Sequence, residues 1–191
     1  MASGAGGMFA AEGPAPLPVT IRLEAPGDEP GVRRVHEAAF PGPEEAAIVD
    51  EVRRLSPAGW QSVVAVGAAG GIVGHVLLSP CPVEDDAGRR VGEVLALGPI
   101  GVLPEAQFRG VGAALITAAV SLAMARGVPA IVLLGQPAYY PRFGFVSARS
   151  CGLEPPADAW PDAAWMARLL PAWTEAMGGT VRYPAAFEPL A

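Results

Sequence analysis

Residues 97–115, LGPIGVLPEAQFRGVGAAL, constrain the fold more than any other stretch. An apolar strand runs into a turn marked by Pro104, then a loop with Gly110 and Gly112, then an apolar helix. The two glycines let the backbone turn sharply and come close to a ligand. The helix behind them offers unpaired N–H groups and the positive end of its dipole. A strand, a glycine loop and a helix N-terminus together form a phosphate site. The helix is apolar on most sides, so it must lie buried against a sheet.

The flanking pattern supplies that sheet. Gly127 and Pro129 close the helix over 112–126, and 130–134 is a continuous apolar run of strand length. Strand 91–103, this helix and strand 130–134 make a right-handed βαβ crossover. Upstream, alternation over 19–24 predicts a half-buried strand. Two helices follow, one capped by Asp28 with Pro30 in its first turn, the other over 44–55 opening on Glu44 and Glu45. A hairpin joins 63–66 to 72–78, ended by Pro80-Cys81-Pro82, and a polar loop spans 84–90. Downstream, Pro137 opens a short helix, Gly144 suits its left-handed cap, and Phe145 starts a strand. Asp162 is expected to cap a helix over 163–177 carrying Trp165, Met166, Leu169, Leu170 and Trp173, kinked at Pro171. That Trp-rich helix is either buried or a homodimer surface. A last strand covers 180–183.

With 191 residues, 51% of them hydrophobic, the chain can bury one sizeable core. Residues 19–191 read as a single domain behind an Ala/Gly/Pro-rich tail over 1–18 that reads as disordered. A net charge of -6 argues against nucleic-acid and anionic-membrane binding, which need a basic face. No apolar run reaches transmembrane length, and no basic segment precedes an apolar targeting core, so the default compartment is the cytoplasm. Cys81 and Cys151 lie far apart and outside metal-ligand spacing. They read as ordinary thiols, and no metal is expected.

The loop Gln107-Phe108-Arg109-Gly110-Val111-Gly112 lacks the Lys-Ser/Thr ending of a nucleotide P-loop and the three glycines of a dinucleotide fold. It can still hold a pyrophosphate through backbone N–H groups. Set beside Tyr140-x-x-x-Gly144-Phe145, one helix and one strand further on, it resembles the GNAT superfamily of acetyl-coenzyme A-dependent N-acetyltransferases. Gln107-x-x-Gly110-x-Gly112 is similar to that family's Gln/Arg-x-x-Gly-x-Gly/Ala loop, and the likeness covers roughly residues 19–187.

The resemblance implies an α/β (α+β) fold: a central mixed, mostly antiparallel sheet, splayed between its fourth and fifth strands and flanked by helices. It implies acetyl-CoA as cosubstrate. The backbone of Ile100, Gly101 and Val102 would pair with pantetheine like an added strand. Gln107, Phe108, Arg109, Gly110, Val111, Gly112 and Ala113 would form the cofactor loop, and Tyr140 would protonate the leaving thiolate. Tyr139 is then pocket wall or core, and Arg142 a brace for the short helix or a phosphate. Many relatives hold pantetheine with an Asn after the fifth strand. This chain has no Asn, so Gln136 or the backbone alone must serve.

No titratable side chain lies in 94–103, and the facing of Glu93 is open. The amine would lose its proton through water, to Glu44 or Glu45, or before binding. His36 and His75 sit in apolar patterns and read as core or edge histidines. The expected activity is N-acetylation of a primary amine, small molecule or peptide, by direct attack on the thioester. The alternative is a CoA- or acyl-CoA-binding module without turnover. Segments 41–59, 81–90 and 151–173 are expected to shape the acceptor site.

Overall fold

The computed structural model describes residues 14–55, 61–157 and 159–190. Residues 1–13 of the expected tail, 56–59 of the first entrance segment and 158 of the third lie outside the described residues.

The chain begins with β1 (Val19–Leu23), then α1 (Glu29–Ala39) and α2 (Glu44–Leu55). The strands β2 (Gln61–Gly67), β3 (Ile72–Glu84) and β4 (Arg90–Val102) follow as a meander. Next come α3 (Val111–Ala125) and β5 (Ala130–Leu134). The remainder holds β6 (Val146–Ser147), β7 (Leu153–Glu154), β8 (Trp165–Leu169) and β9 (Gly179–Val181), with short 3-10 turns between them. Among the described residues the sheet order is β1-β2-β3-β4-β5-β8-β6, with β9 joined to the far end of β3 and β7 to β9. Along that main path only β4 and β5 run parallel. This is the mixed, mostly antiparallel sheet expected.

Three local expectations fail. Asp28 does not cap α1 with its side chain. Its carboxylate instead accepts from the Ala25 N–H at 2.8 Å and from Arg22 at 2.5 and 2.9 Å. Arg22 holds that carboxyl down at about 2. Pro80-Cys81-Pro82 does not end β3, which runs on to Glu84. β2 stops pairing with β3 at Leu78, and the Pro82 carbonyl turns away from β4 to accept from the Arg182 N–H. Both prolines therefore point their N–H-less nitrogens at the edge β2 has left, where a missing donor costs little.

The third failure is the helix over 163–177, replaced by β8. This strand pairs antiparallel with β5 across all five residues and with β6 at Ala167 and Met166. Trp165 and Ala167 join one hydrophobic cluster while Met166 joins the other. A strand buried on both faces shows no alternation, and its apolar run imitates helical spacing. Asp162 bonds Arg149 at 2.6 Å instead of capping. With no helix there, the expected helical dimer face is absent as well.

The two faces of the β3–β4 pair carry different helices. Gly74 stands opposite Val102, and His75 opposite Gly101. A Cβ on Gly74 would meet Val111 and Leu115 of α3 at 2.9 and 3.0 Å. A Cβ on Gly101 would meet His36 and Val35 of α1 at 3.1 Å. The glycines thus let α3 and α1 sit close against opposite faces. On its own side α3 buries Val111, Leu115, Ile116, Ala119, Val120 and Ala123. Each fully buried Leu or Ile contributes about 2 kcal/mol before chain entropy is counted.

Candidate active site

The site is built on the place where the sheet comes apart. β4 and β5 pair only at Leu95–Ile131 and Ala96–Val132. Beyond these β4 runs on to Val102, and among the described residues no strand pairs with it on that side. Its register also changes there: Leu97 faces Leu78 but Ile100 faces Val76, so Gly98 and Pro99 span what β3 covers with Leu77 alone. This bulge returns Leu97 and Ile100 to the same face and bends the strand.

Backbone direction in the open stretch follows from the ladder. The Leu103 N–H donates to Val73 O at 2.9 Å, so residues 103 and 101 exchange bonds with β3. Ile100 and Val102 therefore turn their backbone groups toward the gap, and Gly101 does not. The Val102 carbonyl is already used: Gln107 Nε2 donates to it at 3.0 Å. Ile100 N–H and C=O and Val102 N–H are left facing the gap.

The strand feeds the glycine loop. Gly110 is left-handed at φ 85, the conformation glycine tolerates best, and it begins α3 with no side-chain cap. The first helical hydrogen bond runs from Ala114 N to Gly110 O, which leaves the N–H groups of Val111, Gly112 and Ala113 free of helical partners. Phe108 is 89% exposed and also has positive φ, at 59, a conformation that costs a non-glycine residue roughly 1 kcal/mol. Arg109 turns from the helix: its Nε donates to Ala15 O at 3.0 Å, and its carbonyl accepts from the Leu17 N–H. The segment before β1 thereby straps the loop.

Across the gap stand the aromatics that follow β5. Tyr140 is buried, with its ring against Gly135 and edge-on to Phe145 at 5.7 Å. Burial first, then the neighbouring Tyr139, pushes its hydroxyl up to about 12. It keeps its proton throughout the neutral range. Tyr139 is half-buried, and its hydroxyl stands 3.3 Å from where a Cβ on Gly112 would lie. The Arg142 guanidinium covers the Tyr139 ring at 4.2 Å and bonds its carbonyl at 2.9 Å. Gly144 ends this turn in the left-handed conformation, as expected.

A glycine loop at a helix N-terminus, an open strand edge before it and a buried tyrosine opposite are the features that known proteins can test. The acetyltransferase (GNAT) family model matches residues 30–145. The chain belongs to the GNAT acetyltransferase family. It is an acyltransferase by that membership. The uncharacterized N-acetyltransferase YhbS of Escherichia coli (strain K12) is 31% identical over 127 residues, 65% of this chain and 72% of that protein. YjhQ, another uncharacterized N-acetyltransferase of that strain, is 27% identical over 85% of this chain and 91% of its own. The crystal structure of E. coli YhbS in complex with CoA matches with a TM-score of 0.78 at 27% identity, over 91% of this chain and 93% of that one. A GNAT acetyltransferase from Brucella melitensis in complex with acetyl-CoA matches with a TM-score of 0.71 at 31% identity, over 89% and 98%.

The structure brings Ile100, Val102, Gln107, Gly110, Val111, Gly112, Ala113 and Tyr140 around one gap. Gly101 and Arg109 serve the same segment from behind, and Gln136 is exposed on the way from β5 to Tyr140. Glu93 is exposed before the gap opens and pairs with Arg90. Sequence reasoning missed two arrangements. The glycine at 112, where the family allows Ala, is the trace of Tyr139. Ser62, polar within an apolar strand, is the trace of a buried polar chain beneath α1.

Proposed function

We propose that this chain transfers the acetyl group of acetyl-CoA to a primary amine of a small molecule or peptide, in the cytoplasm. The gap between β4 and β5, running directly into uncapped helix N–H groups, carries this reading. Ile100 and Val102 would take the pantetheine amide as an added rung, with the Val102 carbonyl already occupied by Gln107. The N–H groups of Val111, Gly112 and Ala113 would take the pyrophosphate, aided by the helix dipole. The Tyr139 hydroxyl, close to Gly112 at the same helix end, would donate to a phosphate oxygen. Arg109 is assigned to bracing this loop.

Tyr140 would donate its hydroxyl proton to the sulfur as the carbon–sulfur bond breaks. Burial pushes that hydroxyl up to about 12, so it keeps its proton while the amine attacks. Orientation of the amine against the thioester supplies most of the rate. Free Cys81 and Cys151 suit a reducing compartment.

Thiol release from acetyl-CoA across a panel of amines, with calorimetry of CoA binding, tests the reading. Turnover of at least one amine with saturable CoA binding is expected. Binding without turnover for any amine would turn the reading to a non-catalytic module, and no binding would end both. Tyr140→Phe is expected to lower kcat about 10²-fold with CoA affinity kept. Full activity in that variant would remove Tyr140 from the chemistry.

A further inference from the structure

One side chain of the glycine loop makes no use of the protein around it. Among the described residues Phe108 is the most exposed large hydrophobic, at 89% against 49% for the next. Leu103, Ala106 and Val111 on either side of it are buried. Its ring meets no other ring and no guanidinium among the described residues. Its backbone is left-handed, at φ 59. Asn, Asp and Gly take that conformation readily, and a bulky aromatic residue does not. Neither the exposure nor the conformation helps the chain to fold, and strain of this kind gathers where a ligand is held.

The neighbouring side chains hold the ring where it is. Gln107 turns inward, with its Nε2 donating to the Val102 carbonyl at 3.0 Å. Arg109 turns toward the N-terminal segment, with its Nε donating to the Ala15 carbonyl at 3.0 Å. Its own carbonyl accepts from the Leu17 N–H at 2.9 Å. Gly110 follows, left-handed as well, at φ 85. The loop is thus tied on both sides of Phe108, and the ring already stands in solvent before any ligand arrives.

The run of the cofactor names the occupant. CoA is linear: pantetheine, then pyrophosphate, then adenosine. With pantetheine along Ile100 and Val102 and the pyrophosphate on the N–H groups of Val111, Gly112 and Ala113, the adenosine has to leave past the loop on its solvent side. Phe108 stands three residues before Val111, so their Cα atoms lie within about 11 Å of each other. A single ribose separates the adenine from the phosphates, which keeps the base within the same reach. The size of the surface agrees. One exposed ring between buried neighbours is far below the roughly 800 Å² that each partner gives to a stable protein interface. It matches one face of a purine, and every base has such a face to stack.

We propose, resting on the acetyl-transfer reading above, that the Phe108 ring is the platform on which the adenine of CoA stacks. It is a specificity residue: it selects the complete cofactor over shorter pantetheine thioesters that fill the same gap without a base. The left-handed backbone presents the ring in advance, so little ordering is left to be done on binding.

Calorimetry of the full chain with CoA and with phosphopantetheine, which keeps one phosphate and lacks adenosine, tests this platform. Phe108→Gly is expected to weaken CoA about 5–50-fold and to leave phosphopantetheine unchanged. Its urea midpoint should hold or rise, because glycine accepts a positive φ without strain. A ring that served packing would lose stability instead, and a lower midpoint overturns the proposal. Phe108→Trp should keep CoA affinity, and its added indole emission should be quenched by CoA and not by phosphopantetheine. Equal weakening of both ligands in Phe108→Gly would mean that the loop, not the base, had been disturbed. That result, or an unchanged CoA affinity, overturns the platform and leaves the acetyl-transfer reading standing. A change of oligomeric state on sedimentation with CoA affinity kept gives the ring to a second copy and overturns it too. Absence of CoA binding by the unmodified protein overturns the acetyl-transfer reading itself, and the platform with it.

Discussion

The two faces of the β3–β4 pair use the same device for different ends. Each carries one glycine, Gly74 on one side and Gly101 on the other, and each glycine lets a helix sit close. Under α3 the space is filled by Val111 and Leu115, so the glycine loop rests on an apolar wedge. Under α1 it is filled by an imidazole whose outer nitrogen lacks a partner among the described residues. Apolar packing fixes where the loop is. The polar face is dearer to build.

If that contrast is right, substitutions on the two faces separate stability from pH response. Leu115→Ala should cost about 2–5 kcal/mol in urea unfolding while leaving the shape of the pH–rate profile unchanged. A changed profile would show that the faces are coupled. The opposite face should make stability itself depend on pH. His36 binds its proton more weakly folded than unfolded, so its contribution is complete above about 6.5 and gone below about 4. Urea unfolding followed from pH 7 down to 4 should show a loss of about 3 kcal/mol from His36, with His75 adding to it. His36→Leu should flatten that slope, and an equal slope in the variant would move its origin elsewhere.

The glycines themselves give a finer test. Gly74→Ala drives a methyl group into Val111 and Leu115 and should cost about 1–3 kcal/mol. Gly101→Ala meets the edge of His36 and Val35, which have a little more room, and should cost less. Its signature is a moved His36 ring resonance. Smallest of all, Arg109→Ala removes the bond to Ala15 and should weaken CoA binding by about 2–10-fold in calorimetry. Unchanged affinity would make the N-terminal strap irrelevant to the loop.

The periodic parts of this fold were legible in the sequence. The helix behind Gly112, the hairpin at 67–71 and the strand 130–134 lie where their patterns put them. The helix expected over 163–177 failed because β8 is buried on both faces, and such a strand carries no period of its own. The turns at Gly110 and Gly144 were legible because each is a short run with its own glycine punctuation. The buried hydrogen-bonded chain from His36 through His75 and Ser62 to Glu24 was not. Its links join residues 39, 13 and 38 positions apart, and no local pattern brings them together. Only Ser62, out of place between apolar neighbours, marks it in the sequence.

The unpaired stretch of β4 has one more consequence. A bare strand edge is also a template on which another chain can grow, the first step toward aggregation. Here the exposed length is trimmed at one end, where Gln107 has already claimed the Val102 carbonyl. The side chain that takes the Val102 carbonyl thus also shortens the edge on which another strand could grow.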